Sequence, residues 1–229
     1  MTEKAPQCIG IVLDGNRRWA RERGLPTLEG HRRGAERLRE AVQWVRARGI
    51  SHMVVYAFST ENWNRTPEEV GYLMKLFGGY FDKLIERTLG SEKEKSNIRF
   101  IGDIARAPVE VQDAIKKAEL RNVEHPSFTL WVCFSYGGRS EIIAAAEMLR
   151  REGKEINEES VHGAMWSAGM PDPDIIIRPG GEKRLSNFLT WQSIYSELFF
   201  IQPYWPDFSE AILDVILKEY ADRERRRGK

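Results

Sequence analysis

Short apolar runs of strand length alternate along this chain with longer segments in which apolar residues recur every three or four positions. Cys8–Leu13 reads as a buried strand that runs directly into Asp14-Gly15-Asn16. Beyond Gly30, the residues Ala35, Leu38, Val42 and Val45 trace one face of a helix that Gly49 ends. Met53–Phe58 is a second strand. Pro67-Glu68-Glu69 then opens a long helix through Leu73, Leu76, Phe77 and Leu84. Proline and acids suit a first turn, where N–H groups lack partners and the helix dipole favours negative charge. Asn97–Ile101 and Phe128–Phe134 are further strands, separated by a helix with Val111, Ala114, Ile115 and Ala118 on one face. Glu141–Leu149 is helical, Ile175–Ile177 and Tyr195–Phe200 are strands, and the last helix carries Ala211, Ile212, Val215 and Ile216. Such alternation predicts an α/β fold: one domain over residues 1–229, with a mainly parallel central sheet of about six strands flanked by helices.

Composition narrows the functional classes. The chain has 229 residues, 41% of them hydrophobic and 30% charged, enough apolar material for one packed core. Thirty-five basic residues against 34 acidic ones leave a formal charge of +1, which argues against a nucleic-acid binder acting through a broad basic field. An anionic ligand must then be held by local clusters of arginine. Cys8 and Cys133 each sit inside an apolar run and read as reduced, buried thiols. Met1–Gln7 is polar, and no segment approaches the ~20 apolar residues that span a bilayer. The expectation is a cytoplasmic protein.

The chemistry gathers in the loops after the strands, where ligands of open parallel sheets bind. The first loop is Asp14-Gly15-Asn16-Arg17-Arg18-Trp19. Gly15 lets backbone N–H groups approach a phosphate, and two arginines follow for charge-assisted bonds. Asp-Gly-Asn by itself is a common turn, and its place after the first strand adds the meaning. The second loop, Ser59-Thr60-Glu61-Asn62-Trp63-Asn64-Arg65, is densely polar, and a helix N-cap with an aromatic clasp would look similar. Tyr136-Gly137-Gly138-Arg139 fits an anion site or close helix–strand packing equally well. Arg178-Pro179-Gly180-Gly181-Glu182-Lys183-Arg184-Leu185-Ser186 offers two arginines and a serine around a flexible turn, or an exposed basic loop. Many arginines and few carboxylates at one sheet edge suit a diphosphate, since arginine forks match phosphate oxygens. Neither a Walker loop nor a G-x-G-x-x-G turn occurs. Magnesium would rest on few carboxylates, with water and diphosphate completing its octahedron, and Asp14 is the natural candidate.

These motifs, in this order, resemble the cis-prenyltransferases of the undecaprenyl diphosphate synthase type. The likeness rests on Asp14-Gly15-Asn16-Arg17-Arg18-Trp19, Gly30-His31, Tyr56 to Arg65, Tyr136-Gly137-Gly138-Arg139, Ile177 to Glu182, Arg184 to Phe188 and Trp205-Pro206-Asp207-Phe208. It implies a catalyst that condenses isopentenyl diphosphate with an allylic diphosphate, such as farnesyl or geranylgeranyl diphosphate, into a Z-polyprenyl diphosphate. By resemblance Asp14 binds Mg2+ and helps the allylic diphosphate leave, and Gly15, Asn16, Arg17, Arg18, Trp19 and His31 hold that diphosphate. Asn62 matches the position tied to proton removal, with Ser59, Thr60, Glu61, Trp63 and Arg65 beside it. Arg178, Arg184, Leu185 and Ser186 match the grip on isopentenyl diphosphate, and Glu197 a second metal-associated carboxylate. An amide is a poor base, so diphosphate oxygen or water is expected to share the proton step with Asn62.

The resemblance carries further expectations. Thr27 and Lys183 stand where members often have arginine and histidine, so no role is carried to them. Arg17 and Pro179 look more like eukaryotic or archaeal members. Product length would be set by an apolar tunnel; ordinary core packing accounts for most aromatics near it, and Tyr80 or Phe81 is our candidate for a plug that shortens the product, although the charged Ser91–Lys95 stretch resembles an insertion of longer-chain members. Members are mostly homodimers, and Arg226-Arg227-Gly228 resembles a tail that reaches a neighbour's site; a solvated helix end over Arg223–Arg227 is the plainer reading. A greasy product suggests transient peripheral membrane contact. A non-catalytic partner subunit would be expected to lose the Asp14 loop or the Arg178 and Arg184 pair, and both are present. A phosphate-ester hydrolase would need a nucleophile or metal cluster that the sequence does not offer.

Overall fold

The computed structural model describes residues 5–88 and 96–223, with side chains of 80–88 outside the description. The strands are β1 (Cys8–Val12), β2 (His52–Ser59), β3 (Ser96–Ile101), β4 (Phe128–Tyr136), β5 (Ile175–Arg178) and β6 (Glu197–Phe200). They form one six-stranded sheet in the order β3-β4-β2-β1-β5-β6 with every neighbouring pair parallel. A parallel sheet is covered on both faces, which is why β1, β4 and β5 are continuous buried runs without polar alternation.

The helices are α1 (Asn16–Glu22), α2 (Thr27–Ala47), α3 (Pro67–Thr88), α4 (Val109–Glu119), α5 (Gly138–Glu152), α6 (Glu158–Ala164) and α7 (Glu210–Asp222). Ile9, Ile11, Met53, Val55, Ile175 and Ile177 face α2 and α7 through Leu38, Val42, Val45, Leu213 and Ile216. The alternate residues Cys8, Val12, Val54, Tyr56, Cys133 and Ile176 pack on Met170, Phe188 and Leu189 from the other side. Both cysteines are free and buried, and burial pushes each thiol's pKa well up, so neither is a ready nucleophile.

Several elements differ from the sequence expectation. Asn16 to Trp19, read as part of a phosphate loop, instead begin α1, which starts directly after Gly15, whose φ of 100° makes the turn. Helix α2 begins at Thr27, before Gly30, because Gly30 and Gly34 are the helix face on which α1 lies. A Cβ on Gly30 would stand 2.1 Å from the Asn16 carbonyl oxygen, and one on Gly34 would stand 2.3 Å from Asn16 Oδ1. Strand β6 begins at Glu197 rather than Tyr195. A turn precedes it, with Ser196 N–H bonded to Ser193 O, and Tyr195 is exposed. The short α6 had no counterpart in the apolar pattern; Asn157 and Ser160 close its first turn reciprocally.

Strand order positions the site. From β1 the chain moves to one side, into β2, whereas from β5 it moves to the other, into β6. The crevice at such a reversal opens beyond the carboxyl ends of β1 and β5, where Asp14 and Arg178 emerge.

Candidate active site

Asp14 and Arg178 meet across this crevice. Arg178 Nη2 donates to Asp14 Oδ2 at 2.9 Å, and Arg18 Nη2 lies 3.2 Å from Asp14 Oδ1. The Arg178 side chain is only 5% exposed and Asp14 27%, so the pair is half in water and half in protein. Arg178 Nη1 donates to Ser186 Oγ at 2.7 Å and to the Arg184 carbonyl oxygen, while its buried Nε has no protein acceptor. Arg18 Nη1 donates to Gly180 O at 3.0 Å, and the guanidinium lies over the Tyr204 ring. The loops after β1 and β5 are therefore one structure.

A second cluster stands on the α1–α2 side. Glu69, from the first turn of α3, accepts from Arg65 Nη1 at 3.0 Å, lies 3.2 Å from His31 Nε2 and 3.8 Å from Arg17 Nε. Burial pulls the His31 pKa below its ordinary value against the opposing hydrogen bond to Glu69, and the charge on Arg65 lowers it further. Burial also lowers Arg65, with Glu69 opposing and Arg17 adding to the effect. One carboxylate for three basic side chains leaves room for an anion.

Several of these groups line a cavity of about 750 Å³. Asp14, Asn16, His31, Arg65, Arg178 and Ser186 line its polar end, and Leu38, Leu73, Leu76, Phe77 and Val132 its apolar end. Phe77 meets Phe134 edge-on at 5.0 Å, and Phe134 stacks on Phe58 at 5.5 Å, so aromatic rings back the apolar wall. A polar mouth on an apolar hollow suits a ligand with a charged head and a hydrocarbon tail. A second depression shares Leu13, Asp14, Asn16, His31 and Arg65 and continues past Gly15, Arg17 and Arg18.

Several expected residues converge here. Ser59, Glu61 and Asn62 line the cavity from the turn after β2. Asn62 Oδ1 accepts the Ser59 N–H at 3.0 Å, which fixes the orientation of the amide and leaves its second lone pair and its NH2 for other partners. Leu185 also lines the cavity, and Thr60 lies beside Gly137 at the turn after β4. Others stand back. Trp19 donates through Nε1 to Asp207 Oδ1 and carries Arg23 on its ring, and Trp63 donates to Ser135 Oγ and packs on Phe58. The Arg184 guanidinium is exposed and pairs with Glu182, so its backbone carbonyl, rather than its charge, joins Arg178.

Glu197 is not brought to Asp14 within this chain. It pairs in register with Ile175, three residues before Arg178, roughly 10 Å back along the strands, and its carboxylate receives Arg223 Nη1 at 2.6 Å. Among the described residues no three His, Cys, Asp or Glu side chains gather into a metal-binding group. Glu69 was missed from the pattern because first-turn acids have a sufficient local explanation. Its spacing of four from Arg65 was the available signal. Tyr80 and Phe81, Ser91–Lys95 and Arg226-Arg227-Gly228 lie outside the described side chains and residues.

Residues 12–228 match the prenyltransferase family model described as "Putative undecaprenyl diphosphate synthase". An isoprenyl transferase of Thermotoga maritima is 42% identical over 230 residues, covering 98% of this chain and 97% of that protein. The ditrans,polycis-undecaprenyl-diphosphate synthase ((2E,6E)-farnesyl-diphosphate specific) of Micrococcus luteus is 37% identical over 97% of this chain and 91% of its own length. The solved structure of lavandulyl diphosphate synthase from Lavandula x intermedia, in complex with dimethylallyl diphosphate, superposes with a TM-score of 0.93 at 31% identity, covering 98% of this chain and 99% of that one. Arg17 and Pro179 point toward eukaryotic or archaeal members, whereas both of these sequence relatives are bacterial.

Proposed function

Since the chain belongs to the prenyltransferase family of undecaprenyl diphosphate synthases, we propose that it condenses isopentenyl diphosphate with an allylic diphosphate to give a Z-polyprenyl diphosphate. The observation that carries this reading is the Asp14–Arg178–Ser186 linkage, set between a cluster of further basic groups and an apolar cavity. One diphosphate is held by Gly15, Asn16, Arg17, Arg18, His31 and Arg65, with its tail toward Leu73 and Phe77. The other is held by Arg178 and Ser186, with Arg184 at the rim. The allylic C–O bond breaks, its electron pair leaving with diphosphate, and the double bond of isopentenyl diphosphate forms the new C–C bond. Arginines aimed at the departing oxygens stabilise charge where it develops, the term that usually dominates.

Asn62 is held in the turn by the bond from Ser59 N–H, and because an amide is a weak base the released proton passes to a diphosphate oxygen or water that Asn62 helps to place. Asp14 is a hard oxygen donor, part-exposed at the mouth, and fits magnesium that completes its shell from diphosphate and water. When bound, magnesium supplies charge neutralisation to the leaving diphosphate. Glu197 has no part in that ion from within the same chain.

A homodimer in the cytoplasm, touching membranes transiently to pass on its product, agrees with the family. Among the described residues no helix is long and apolar enough to cross a membrane. The test is incubation with labelled isopentenyl diphosphate, magnesium and a series of allylic primers, followed by sizing of the product. Incorporation is expected, and the sizes give the chain length. No incorporation with any primer would favour the partner-subunit reading.

A further inference from the structure

Three of the site's loops come from three different strands, and one side chain joins them. Asn187 follows Ser186 in the loop after β5. Its Nδ2 donates to Glu61 Oε1, in the turn after β2, at 3.0 Å. Its Oδ1 accepts the Arg139 N–H, at the start of α5 after β4, at 2.9 Å. Its carbonyl oxygen accepts the Gly138 N–H at 2.8 Å. The amide fits closely, since a Cβ on Gly137 would stand 2.7 Å from Asn187 Nδ2.

The backbone here is held in an unfavourable region. Ser186 and Asn187 have φ of 50° and 67°, left-handed values that non-glycine residues seldom adopt and asparagine tolerates best. Such strain persists where surrounding bonds over-determine it. The same two residues bear on the chemistry, because Ser186 Oγ receives Arg178 Nη1 and Arg178 holds Asp14. Glu61 is kept ionised: burial raises its pKa, but hydrogen bonds from Asn187, its own backbone, Ser59 and Thr60 outweigh that and lower it. A neutral amide bridging to that carboxylate is therefore a directed contact.

We propose that Asn187 is a positioning residue that clamps the anion-holding loop after β5 to the turn bearing Asn62, and so sets where isopentenyl diphosphate sits relative to the allylic substrate. This rests on the prenyl-transfer reading above. Asn187 lines the cavity beside Ser186 and Glu61, but both of its side-chain polar atoms are committed to Glu61 and the Arg139 N–H.

Three variants test it. Asn187→Gly keeps the left-handed backbone and removes both side-chain bonds. The KM for isopentenyl diphosphate is expected to rise about tenfold, the size of one lost hydrogen bond, while the allylic KM stays within about twofold. Asn187→Asp sets two carboxylates against each other and is expected to be worse. Adding Glu61→Gln to Asn187→Asp restores a donor opposite an acceptor and is expected to recover part of the loss, a rescue that general damage to the fold would not give. Faster hydrogen exchange at the Arg139 amide and weaker binding of inorganic pyrophosphate in Asn187→Gly provide a readout without turnover. An unchanged isopentenyl diphosphate KM, equal rises in both KM values, or no rescue would overturn the proposal. If the wild-type chain incorporates no isopentenyl diphosphate, prenyl transfer fails as the function. The clamp then stands or falls on the exchange and pyrophosphate measurements.

Discussion

The loop after β1 and the loop after β5 both bring arginines to one crevice, but they are held in place by different forces. The first is mounted on helix packing. Helix α1 lies against Gly30 and Gly34 of α2 so closely that neither position has space for a methyl group. Trp205 adds a bond from Nε1 to Gly34 O and donates its backbone N–H to Asp14 O. The second loop is anchored at its far end by buried Phe188 and Leu189, but its anion-holding part is mounted on polar groups, namely Arg178, Ser186 and Asn187, with Ser186 and Asn187 at left-handed values. A packed mount fails when volume is added, whereas a polar mount fails also when a donor or its geometry changes at constant volume.

The largest effect is expected on the polar side. Arg178→Lys keeps the charge but loses the fork that reaches Asp14, Ser186 and the Arg184 carbonyl together, and should lower kcat/KM about 100-fold. Steady-state kinetics with thermal melting checks it, and the activity loss should outrun the stability loss. On the packing side, Gly30→Ala sets a methyl against backbone that cannot rotate away. It should cost about 1–3 kcal/mol and reduce activity in step, as measured by denaturant unfolding alongside turnover. Gly34→Ala meets the movable Asn16 side chain instead and should cost less. Equal costs would show that α1 does not ride on this contact.

Glu69→Gln lies on the side of the first loop, against Arg17, His31 and Arg65, and probes what the anion does. Removing its charge leaves His31, Arg65 and Arg17 facing one another, so the variant should lose about 1–2 kcal/mol. Inorganic pyrophosphate should then raise its melting temperature more than that of the unaltered chain. The smallest effect concerns pH. The folded His31 pKa lies below the ordinary value of about 6.5, so the unfolded chain takes up a proton first on acidification. The stability this contributes is present above about pH 6.5 and is lost as pH falls through the lowered folded value. His31→Gln should flatten that slope in unfolding experiments, leaving a remainder from His52, which burial also lowers.

Much of this was legible along the chain because it is local. Apolar runs marked the strands, their position before polar loops marked one sheet edge, and arginines without matching carboxylates marked a diphosphate. What misled was local as well. Arg17-Arg18-Trp19 reads as loop because a chemical motif is in view, although it lies within a seven-residue helix, Asn16–Glu22, most of whose residues form helix readily. Glu69 had a complete explanation in its own helix turn and so hid its contacts with His31 and Arg65. Arg184 carried its charge visibly, yet the fold uses its carbonyl oxygen.

The sequence by itself determined the α/β class, the six strands and the arginine-rich turns, since periodicity and loop chemistry repeat within a few residues. Only the tertiary structure decided which turns meet. Asp14 and Arg178 are separated by 164 positions and Glu61 and Asn187 by 126, and their contacts follow from strand order. Strand direction keeps Glu197 away from Asp14, because Glu197 opens β6 at the amino ends of the parallel strands and Asp14 follows the carboxyl end of β1.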